Sequence, residues 1–468
     1  MNEKLLEALD EISDRHIVQA ANQKKRHTQA YLRAAAAVLA VVMTLLLIQP
    51  EPAPVAASQL VSPAEYTPMP FPDLDAFENL EAEEAALDAY WAQARPRSDA
   101  VHGALEHLRP FWAQTLREFT SDKENNVWSP INTYMSLALL AQTTSGSTRQ
   151  EILDALGTAS IEALRRETKA LWETIRKDEE GARRFLANSL WLDQELEYRQ
   201  ENLDILGTDF YASVHRTELD SSAADADIQA WIDRQTLGLL EGADPVPSPD
   251  HLLSQRVLTL VSTLYVEDSW DEAFDPKDNT EGIFHAPNGD ITCTYLNGLK
   301  EMTYYYDGDG FKTVGLSAIN GCILWLILPD EDSDVDAVLE DGSYLDAVLD
   351  MTVADYKKCQ LALPKFDITS SLDLVGGLKK LGIREVFSPL GGDFSEALSL
   401  SGPVYADSVT QSARIIVDET GLRAASATQI VVLSKGPTSV IEFTLDRPFL
   451  FVLTLRNIPL FAGTVANP

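Results

Sequence analysis

The side chains that could act as a nucleophile and its base are not arranged as a catalytic site. No serine lies in a G-x-S-x-G motif, and none of the seven histidines lies beyond His285. A hydrolase needs its nucleophile beside a base. No glycine-rich phosphate loop precedes a helix and a lysine either. The sequence therefore predicts a protein that is not an enzyme.

The three cysteines predict neither a disulfide framework nor a metal site. Cys293, Cys322 and Cys359 are odd in number and lie in apolar or alternating stretches, which is typical of buried thiols. No C-x-x-C motif or Cys/His cluster with the spacing of a metal site occurs. We therefore expect no metal ion and no cofactor.

A strong excess of acidic residues limits the possible partners. The 468-residue chain carries 72 acidic and 37 basic residues, which gives a net charge of −35. Such a surface repels phosphate backbones, and this argues against nucleic-acid binding. A hydrophobic fraction of 45% is ordinary for a soluble fold and allows a large core.

One segment near the C-terminus combines a potential strand with an exposed turn. It reads GLRAASATQIVVLSKGP, from Gly421 to Pro437. One alternating face is small or apolar throughout, as expected for one side of a strand inside a sheet. This face consists of Leu422, Ala424, Ser426, Thr428, Ile430 and Val432, and the opposite face of Arg423, Ala425, Ala427, Gln429 and Val431. No proline interrupts the segment before Pro437, so it can join a sheet as a strand.

The order of helical and strand patterns predicts an α+β fold. Helical spacing dominates from about residue 101 to about residue 240, and strand signals dominate afterwards. The strand signals are VLTLVSTLYV, FKTVGLSAI, CILWLILP, CQLALPKFDI, ARIIV, VIEFTL and FLFVLTL. Because helices come first and regular βαβ alternation is absent, we expect large antiparallel or mixed sheets.

The first hundred residues predict a membrane anchor and a linker. An apolar stretch at 34–49 follows a basic cluster, which favours a transmembrane helix with the N-terminal segment 1–33 in the cytoplasm. Residues 50–99 are rich in proline and glutamate and predict an extended extracytoplasmic linker, with a short acidic helix at 79–93. The alternative is a secretory signal peptide cleaved near Ala57.

Six segments together resemble the serpin family of serine protease inhibitors, over about residues 104–468. They lie at 126–157, 187–206, 259–276, 363–389, 413–421 and 446–468, and include NVWSPINTYMSLALLAQTTSG, TLVSTLYVEDSWDEAF and DRPFLFVLTLRNIPLFAGTVANP. The resemblance implies a single serpin domain, 100–468, with three β-sheets and about nine helices. It also implies an exposed reactive-centre loop that inserts into the main sheet after a protease cleaves it.

The resemblance also assigns roles within the loop. In the family, the scissile bond lies fourteen residues beyond the glycine that matches Gly421, which gives Lys435–Gly436. A lysine there suits a trypsin-like protease, whereas cleavage between Val432 and Ser434 would suit an elastase-like or chymotrypsin-like enzyme. The hinge of the loop corresponds to Glu419, Gly421, Leu422, Arg423, Ala424, Ala425, Ser426, Ala427 and Thr428.

Two hinge positions and one polar cluster depart from the family pattern. Leu422 replaces a small hydroxyl residue, and its bulk would oppose insertion because overpacking costs about 1–3 kcal/mol. Arg423 replaces a glutamate on the expected solvent face. Where the family carries an Asn and a His joined with serines, this chain has Ser129, Asn132, Ser262 and Gln411. Trp270 matches the aromatic residue at which the loop begins to enter the sheet.

The sequence leaves three functions open. The first is a monomeric suicide-substrate inhibitor whose partner is a serine protease held in a covalent complex. The second is a non-inhibitory serpin-fold binding protein, which Leu422 and the altered polar cluster favour. The third is an anchored receptor that signals when its loop is cut. The anchor and the lack of N-glycosylation sequons favour a bacterial cell-membrane protein with its serpin domain outside the cytoplasm.

Overall fold

The computed structural model describes a large part of the chain, in nine ranges. These are residues 57–77, 79–120, 124–179, 181–241, 256–349, 354–399, 404–406, 409–422 and 440–468. The predicted cytoplasmic segment 1–33 and membrane helix 34–49 lie outside the described residues, and so do residues 423–439 with the predicted scissile bond. Across the described ranges, no helix is both long and apolar enough to cross a bilayer.

Nine α-helices are present in the described residues, as the resemblance implied. They are α1 (Leu80–Phe119), α2 (Pro130–Thr143), α3 (Gly146–Leu156), α4 (Ile161–Ile175), α5 (Gln200–Asp209), α6 (Ser222–Gln235), α7 (Val335–Asp341), α8 (Tyr344–Leu349) and α9 (Val375–Lys380). Local sequence fixes several of their ends. Ser129, Ser160 and Ser221 begin α2, α4 and α6, each accepting a hydrogen bond from the backbone N–H three residues later.

The strands are short to medium in length, except for one of 19 residues. In chain order they are β1 (Ser58–Val61), β2 (Asn126–Trp128), β3 (Lys177–Glu179), β4 (Ala182–Asp193), β5 (Glu197–Tyr198), β6 (Ala212–Thr217), β7 (Leu258–Ser269), β8 (Thr280–Ala286), β9 (Gly289–Asp307), β10 (Phe311–Ser317), β11 (Cys322–Pro329), β12 (Asp355–Pro364), β13 (Phe366–Asp373), β14 (Leu398–Ser399), β15 (Thr410–Val417), β16 (Gly421–Leu422), β17 (Val440–Thr444), β18 (Phe449–Leu455) and β19 (Ile458–Val465).

These strands form three sheets in the described part of the chain, which confirms the expected α+β architecture. The large sheet has the order β1-β6-β4-β7-β16-β15-β13, with β3 paired to β4. The second sheet has the order β17-β12-β9-β10-β11-β18-β19-β2, with β8 paired to β9. The third consists of β5 and β14. The apolar run of β11 is buried along its whole length, as expected for a strand inside the core.

The large sheet is covered on both faces. The main core lies between the sheets and most of the helices. Because side chains alternate along β4, Trp191 points away from the face that carries Leu190 and Leu192 in the main core. Trp191 belongs to a second cluster formed with α6, whose members are Trp191, Leu219, Ile228, Trp231, Ile232 and Leu240. Helix α6 therefore packs across the outer face of the large sheet.

The described part of the predicted linker 50–99 is not an extended tether. β1 adds to the edge of the large sheet beside β6. Helix α1 begins at Leu80, where the short acidic helix was predicted, but it continues to Phe119. Two of the acidic residues that suggested a tether, Glu81 and Glu83, lie in the first turn of α1, where the helix dipole favours negative charge. The Ala64 N–H donates to Gly207 O at 2.9 Å. Composition could not reveal this docking, because its partners are far along the chain.

Candidate functional site

Two residues of the predicted hinge, Gly421 and Leu422, form a strand of the large sheet. Gly421 and Leu422 make up β16, which lies between β7 and β15 and is antiparallel to both. Gly421 pairs with Ser269, while Leu422 pairs with Asp268 on one side and with Val417 on the other. The Leu422 side chain is 2% exposed and packs in the main core. Leu422 therefore occupies an inward-facing position.

The close approach of β7 explains the glycine at position 421. A Cβ atom there would lie 2.3 Å from the carbonyl oxygen of Asp268 and 2.8 Å from the Cα atom of Ser269. These separations are far shorter than the 3.5–4.0 Å at which non-bonded atoms attract each other. Any side chain at this position would push β16 away from β7.

Strands β7 and β15 are joined through β16 rather than to each other. In the described residues, β7 pairs with β4 and β16, and β15 pairs with β13 and β16. No ladder among the described strands connects β7 directly with β15. A strand that continued from Leu422 in the same direction would have β7 on one side and β15 on the other.

The turn that precedes β16 is held by Asp418 and Trp270. The Asp418 Oδ1 atom accepts hydrogen bonds from the backbone N–H groups of Thr420 (2.8 Å) and Gly421 (3.2 Å). The Trp270 indole N–H donates to Asp418 O at 2.9 Å, and the Trp270 backbone N–H donates to Thr420 O at 3.1 Å. Trp270 is buried, so it holds the turn from which β16 begins.

Glu419 fastens the middle of this turn. Lys365 Nζ lies 2.8 Å and 3.0 Å from the two carboxylate oxygens of Glu419, and Asn279 Nδ2 donates to the same carboxylate at 2.8 Å. The hydrogen bond from Lys365 lowers the pKa of Glu419, and that from Asn279 adds to the effect. The Phe274 N–H donates to Glu419 O at 2.8 Å. Both the side chain and the backbone of Glu419 are therefore held.

The four polar residues singled out in the sequence lie together at the N-terminus of α2. The Ser129 N–H donates to Gln411 Oε1 at 2.6 Å, and Gln411 Nε2 donates back to Ser129 O at 3.0 Å. Asn132 Nδ2 donates to Ser262 O at 3.5 Å, and Ser262 Oγ donates to Asn132 Oδ1 at 3.3 Å. Because Gln411 is on β15 and Ser262 is on β7, α2 holds the two strands that flank β16.

Several residues of this site were not singled out in the sequence. Thr133 accepts a hydrogen bond from Gln411 Nε2 at 3.4 Å, and Lys365 and Asn279 hold Glu419. Nothing local indicates that Lys365 pairs with a residue 54 positions further along the chain. Asp418 does have a signal, because an aspartate shortly before a Thr-Gly pair is typical of a turn closed by its own side chain.

A buried ion pair lies at the position that faces Leu422. Asp268 is fully buried, and its Oδ2 atom is 3.8 Å from Arg184 Nη1. The Asp268 Oδ1 atom accepts from the backbone N–H of Asn320 at 3.2 Å and from its Nδ2 atom at 3.0 Å. A buried charge is tolerated when it is paired and hydrogen-bonded, as it is here. No motif or spacing in the sequence indicated this pair.

The cysteines are not reactive groups of the site. All three are buried free thiols, and burial raises the pKa of each of them, that of Cys359 to about 12. The thiols therefore stay protonated at neutral pH and are poor nucleophiles. Among the described residues, no group of His, Cys, Asp and Glu side chains is arranged to hold a metal ion.

The sheet, its hinge and the polar cluster together define a serpin. The family model "Serpin (serine protease inhibitor)" matches residues 107–468, and the chain belongs to this family. Serpins are mostly protease inhibitors rather than catalysts, which agrees with the prediction that the protein is not an enzyme.

Curated plant serpins and solved serpin structures are similar to this chain. Serpin-ZX of Arabidopsis thaliana is 26% identical over 368 residues, which cover 74% of this chain and 93% of that protein. The native state of a thermophilic serpin, Tengpin, aligns with a TM-score of 0.70 at 22% identity, covering 88% of this chain and 100% of that one. Thyroxine-binding globulin in complex with thyroxine aligns with a TM-score of 0.66 at 20% identity, covering 78% and 98%.

These comparisons support only some of the properties predicted for this chain. The two structural likenesses are below 25% identity and support the fold alone. The similar curated proteins include serpins of Arabidopsis, wheat, rice and barley. They therefore give no support to the bacterial origin that the predicted anchor suggested.

Proposed function

We propose that this protein inhibits serine proteases by trapping them on a cleaved loop that inserts into the large sheet. The observation that carries the proposal is β16, where Gly421 and Leu422 already occupy the place of a strand between β7 and β15. Insertion would extend a strand whose start, direction and register exist in the protein. The loop would only have to lengthen β16, because the pairing of this strand with β7 and β15 is already established.

The register of β16 supports insertion of the segment that follows it. Continued along β7 and β15, it places Thr428 opposite Ser262 and Gln411. The inward-facing positions of β15 that this strand would meet, Ile415 and Ala413, are buried in the main core. The small or apolar face that begins at Leu422 would therefore be buried, as the alternation in the sequence predicts.

The same register gives an electrostatic reason for an arginine at position 423. Arg423 would lie beside Glu267 of β7, the residue that follows Asp268 in the pairing order. The Glu267 carboxylate is 3.7 Å from Arg183 and accepts from the Tyr265 hydroxyl at 3.2 Å. Opposite charges directly across two strands attract each other. An arginine fits this neighbour better than the glutamate of the family pattern would.

The covalent step belongs to the protease. Its serine oxygen attacks the carbonyl carbon of Lys435, the bond from that carbon to the Gly436 nitrogen breaks, and the proton from serine leaves on the new amine. Lys435 then remains on the protease as an ester, which water would normally hydrolyse. A lysine before the cut suits a trypsin-like enzyme with an acidic specificity pocket.

Insertion would carry the attached protease along the sheet. β7 has 12 residues, so a strand that pairs along its whole length spans about 40 Å. Lys435 would be drawn from the hinge end of the sheet toward the opposite end, and the protease with it. Distortion of the protease before the ester is hydrolysed would leave the complex covalent.

The test uses the full-length chain mixed with trypsin and, separately, with elastase. We expect a covalent complex with trypsin that survives SDS, and a released peptide that begins at Gly436. The K435E variant should lose this complex because the specificity pocket would repel a carboxylate. Complete turnover without a complex, together with no gain in thermal stability after cleavage, would contradict the proposal. A fragment that begins at residue 433, 434 or 435 would indicate an elastase-like or chymotrypsin-like target.

A second candidate, a non-inhibitory binding protein, has one observation in its favour. Leu422 is a bulky residue already fixed at the first inward position of β16, and overpacking can oppose further insertion. This candidate predicts that loop cleavage leaves the thermal transition unchanged and forms no complex with any serine protease. The inhibitor candidate predicts the opposite result for both measurements.

We further propose that residues 34–49 anchor the protein in a membrane, with the serpin domain outside the cytoplasm. The apolar stretch and the basic cluster before it support this arrangement. Membrane fractionation of cells that express the full chain should recover it in the membrane fraction, intact at its N-terminus. A protein released into the medium that begins near Ser58 would instead indicate a cleaved signal peptide.

A further inference from the structure

Lys300 is a buried lysine on β9 whose ammonium group holds a neighbouring loop. Its side chain is almost fully buried. The Nζ atom donates to the backbone carbonyls of Glu272 and Ala273, the second at 3.4 Å. It also lies 3.4 Å from the ring centroid of Phe274, in the position of a cation–π contact.

This placement is unfavourable for a lysine unless its contacts compensate. Within the described residues, no carboxylate lies at ion-pair distance from the Lys300 ammonium. Burial lowers the pKa of Lys300 to about 8, while the negative charge of Glu272 acts in the other direction. A buried cation without an ion partner is costly. The carbonyls and the aromatic ring are therefore its compensation.

The loop that Lys300 holds is the one that holds the hinge. From this loop, the Trp270 N–H donates to Thr420 O at 3.1 Å and the Phe274 N–H donates to Glu419 O at 2.8 Å. Lys300 contacts residues 272–274 from the side of β9. Residues 270–274 thus lie between a buried cation and the turn from which β16 begins.

From these contacts we infer that Lys300 is a positioning residue for loop insertion, and that it acts through residues 270–274. It keeps the amides of Trp270 and Phe274 aligned with the carbonyls of Thr420 and Glu419. The turn then keeps Gly421 in register with Ser269. This inference rests on the proposed inhibitory function, because it concerns how insertion starts after the loop is cut.

The removal of Lys300 should therefore affect insertion and leave cleavage unchanged. A methionine at position 300 keeps much of the volume but loses the charge and the donors. The turn would be held less firmly, insertion would start more slowly, and more of the acyl-enzyme would be hydrolysed before it is trapped. The rate at which the protease attacks the loop depends on the residues around the scissile bond, and a substitution at position 300 leaves those residues unchanged.

The experiment compares full-length K300M, K300R and K358M with the wild-type protein against trypsin. Lys358 is the matched control, because it lies on the neighbouring strand β12 and pairs with Glu301 at the surface. In K300M, the amount of protein consumed per trypsin inhibited should rise about threefold or more, while the association rate stays within about twofold. K300R should restore part of the loss, and K358M should match the wild type. An unchanged ratio in K300M, or an equal rise in K358M, would overturn the inference.

Hydrogen exchange separates this inference from the proposed function. If the wild-type protein forms no complex with trypsin, the proposed function fails, but the amides of Trp270 and Phe274 still report on Lys300. In K300M these two amides should exchange about tenfold faster than in the wild type, and in K358M they should not. Unchanged exchange in K300M overturns the inference by itself. Should K300M not fold, K300Q is measured in the same way, with the same outcomes.

Discussion

Single residues decide how closely the hinge can approach the sheet. At position 421 the size of the side chain is limited, because the backbone of β7 occupies the space that a Cβ atom would need. At position 419 the position of the turn is held by charge, because the Glu419 carboxylate is paired with Lys365 beside the turn. Neither residue takes part in chemistry, yet each fixes where a strand can begin.

Replacement of Gly421 by alanine should disrupt β16. The added Cβ atom would lie 2.3 Å from Asp268 O, and relief of this clash should cost about 1–3 kcal/mol. We expect a loss of trypsin inhibition in favour of turnover, measured as the protein consumed per trypsin inhibited. Gly376→Ala in α9 is the control, because nothing lies within 4 Å of the position that its added methyl group would take. An effect of equal size in the control would contradict the steric explanation.

Glu419 should make the stability of the protein depend on pH in the acidic range. Lys365 lowers its pKa in the folded protein below the value of about 4.3 found in unfolded chains. The unfolded state therefore binds more protons in this window, so the stabilisation is complete above about pH 4.5 and is lost as the pH falls through the folded pKa. Thermal unfolding of the wild type and of E419Q should differ at pH 7 and converge on acidification. A constant difference would argue against this ion pair.

At the scale of secondary-structure elements, strand β1 and the segment after it cover one edge of the large sheet. β1 pairs with β6, and the Ala57 N–H donates to Asp227 Oδ2 of α6 at 2.8 Å. Further along, the Tyr66 hydroxyl donates to Glu173 O at 3.1 Å and its ring meets Trp172 edge-on. The described segment 57–77, which the sequence predicted as part of a linker, is therefore bound to a sheet edge and to helices α4, α5 and α6.

Gly207 of α5 should be essential for this docking. A Cβ atom at position 207 would lie 2.6 Å from Val61 Cγ1 and 3.0 Å from Ser62 O. We expect Gly207→Val to lower the free energy of unfolding by about 1–3 kcal/mol and to expose residues 57–77 to limited proteolysis. Gly103→Ala in α1 has open space around it and should be neutral or stabilising. Protection from proteolysis in Gly207→Val would show that the segment docks by other contacts.

At the scale of the whole molecule, the proposed insertion would lengthen β16 into a full strand in the middle of the large sheet. The polar cluster of α2 lies under this path, because Gln411 and Ser262 come from the two flanking strands. Helix α6 covers the opposite face. Insertion would therefore act on the sheet, on α2 and on α6 together.

A charge on the inward face of the loop should prevent insertion, while the same charge on the outward face should not. If the loop inserts in the register of β16, Thr428 would point inward beside Gln411 and Ala427 would point outward. Thr428→Arg would bury an unpaired guanidinium, which is strongly unfavourable, so the protein should become a substrate of trypsin. Ala427→Arg should still form the covalent complex. The measurement is SDS electrophoresis of each variant after reaction with trypsin, and equal behaviour of the two would contradict the inserted-strand register.

The amino-acid sequence by itself determined the α+β class, the family resemblance and the buried thiols. These properties are local, because spacing along the chain sets which side chains share a face. The sequence also named the four polar residues around α2, through the family pattern. It predicted the acidic helix at 79–93 but not the docking of residues 57–66, because composition records charge and proline content but not a docking partner.

The tertiary structure alone decided which distant residues meet. Lys365 reaches Glu419, Gln411 reaches the backbone of Ser129, and Lys300 reaches the loop at 272–274. Each pair is separated along the chain, so no local periodicity encodes it, and burial in a shared core selects it instead. The hinge begins as a strand at Gly421 because β7 and β15 leave a strand's position between them there, and only the folded sheet can define that position.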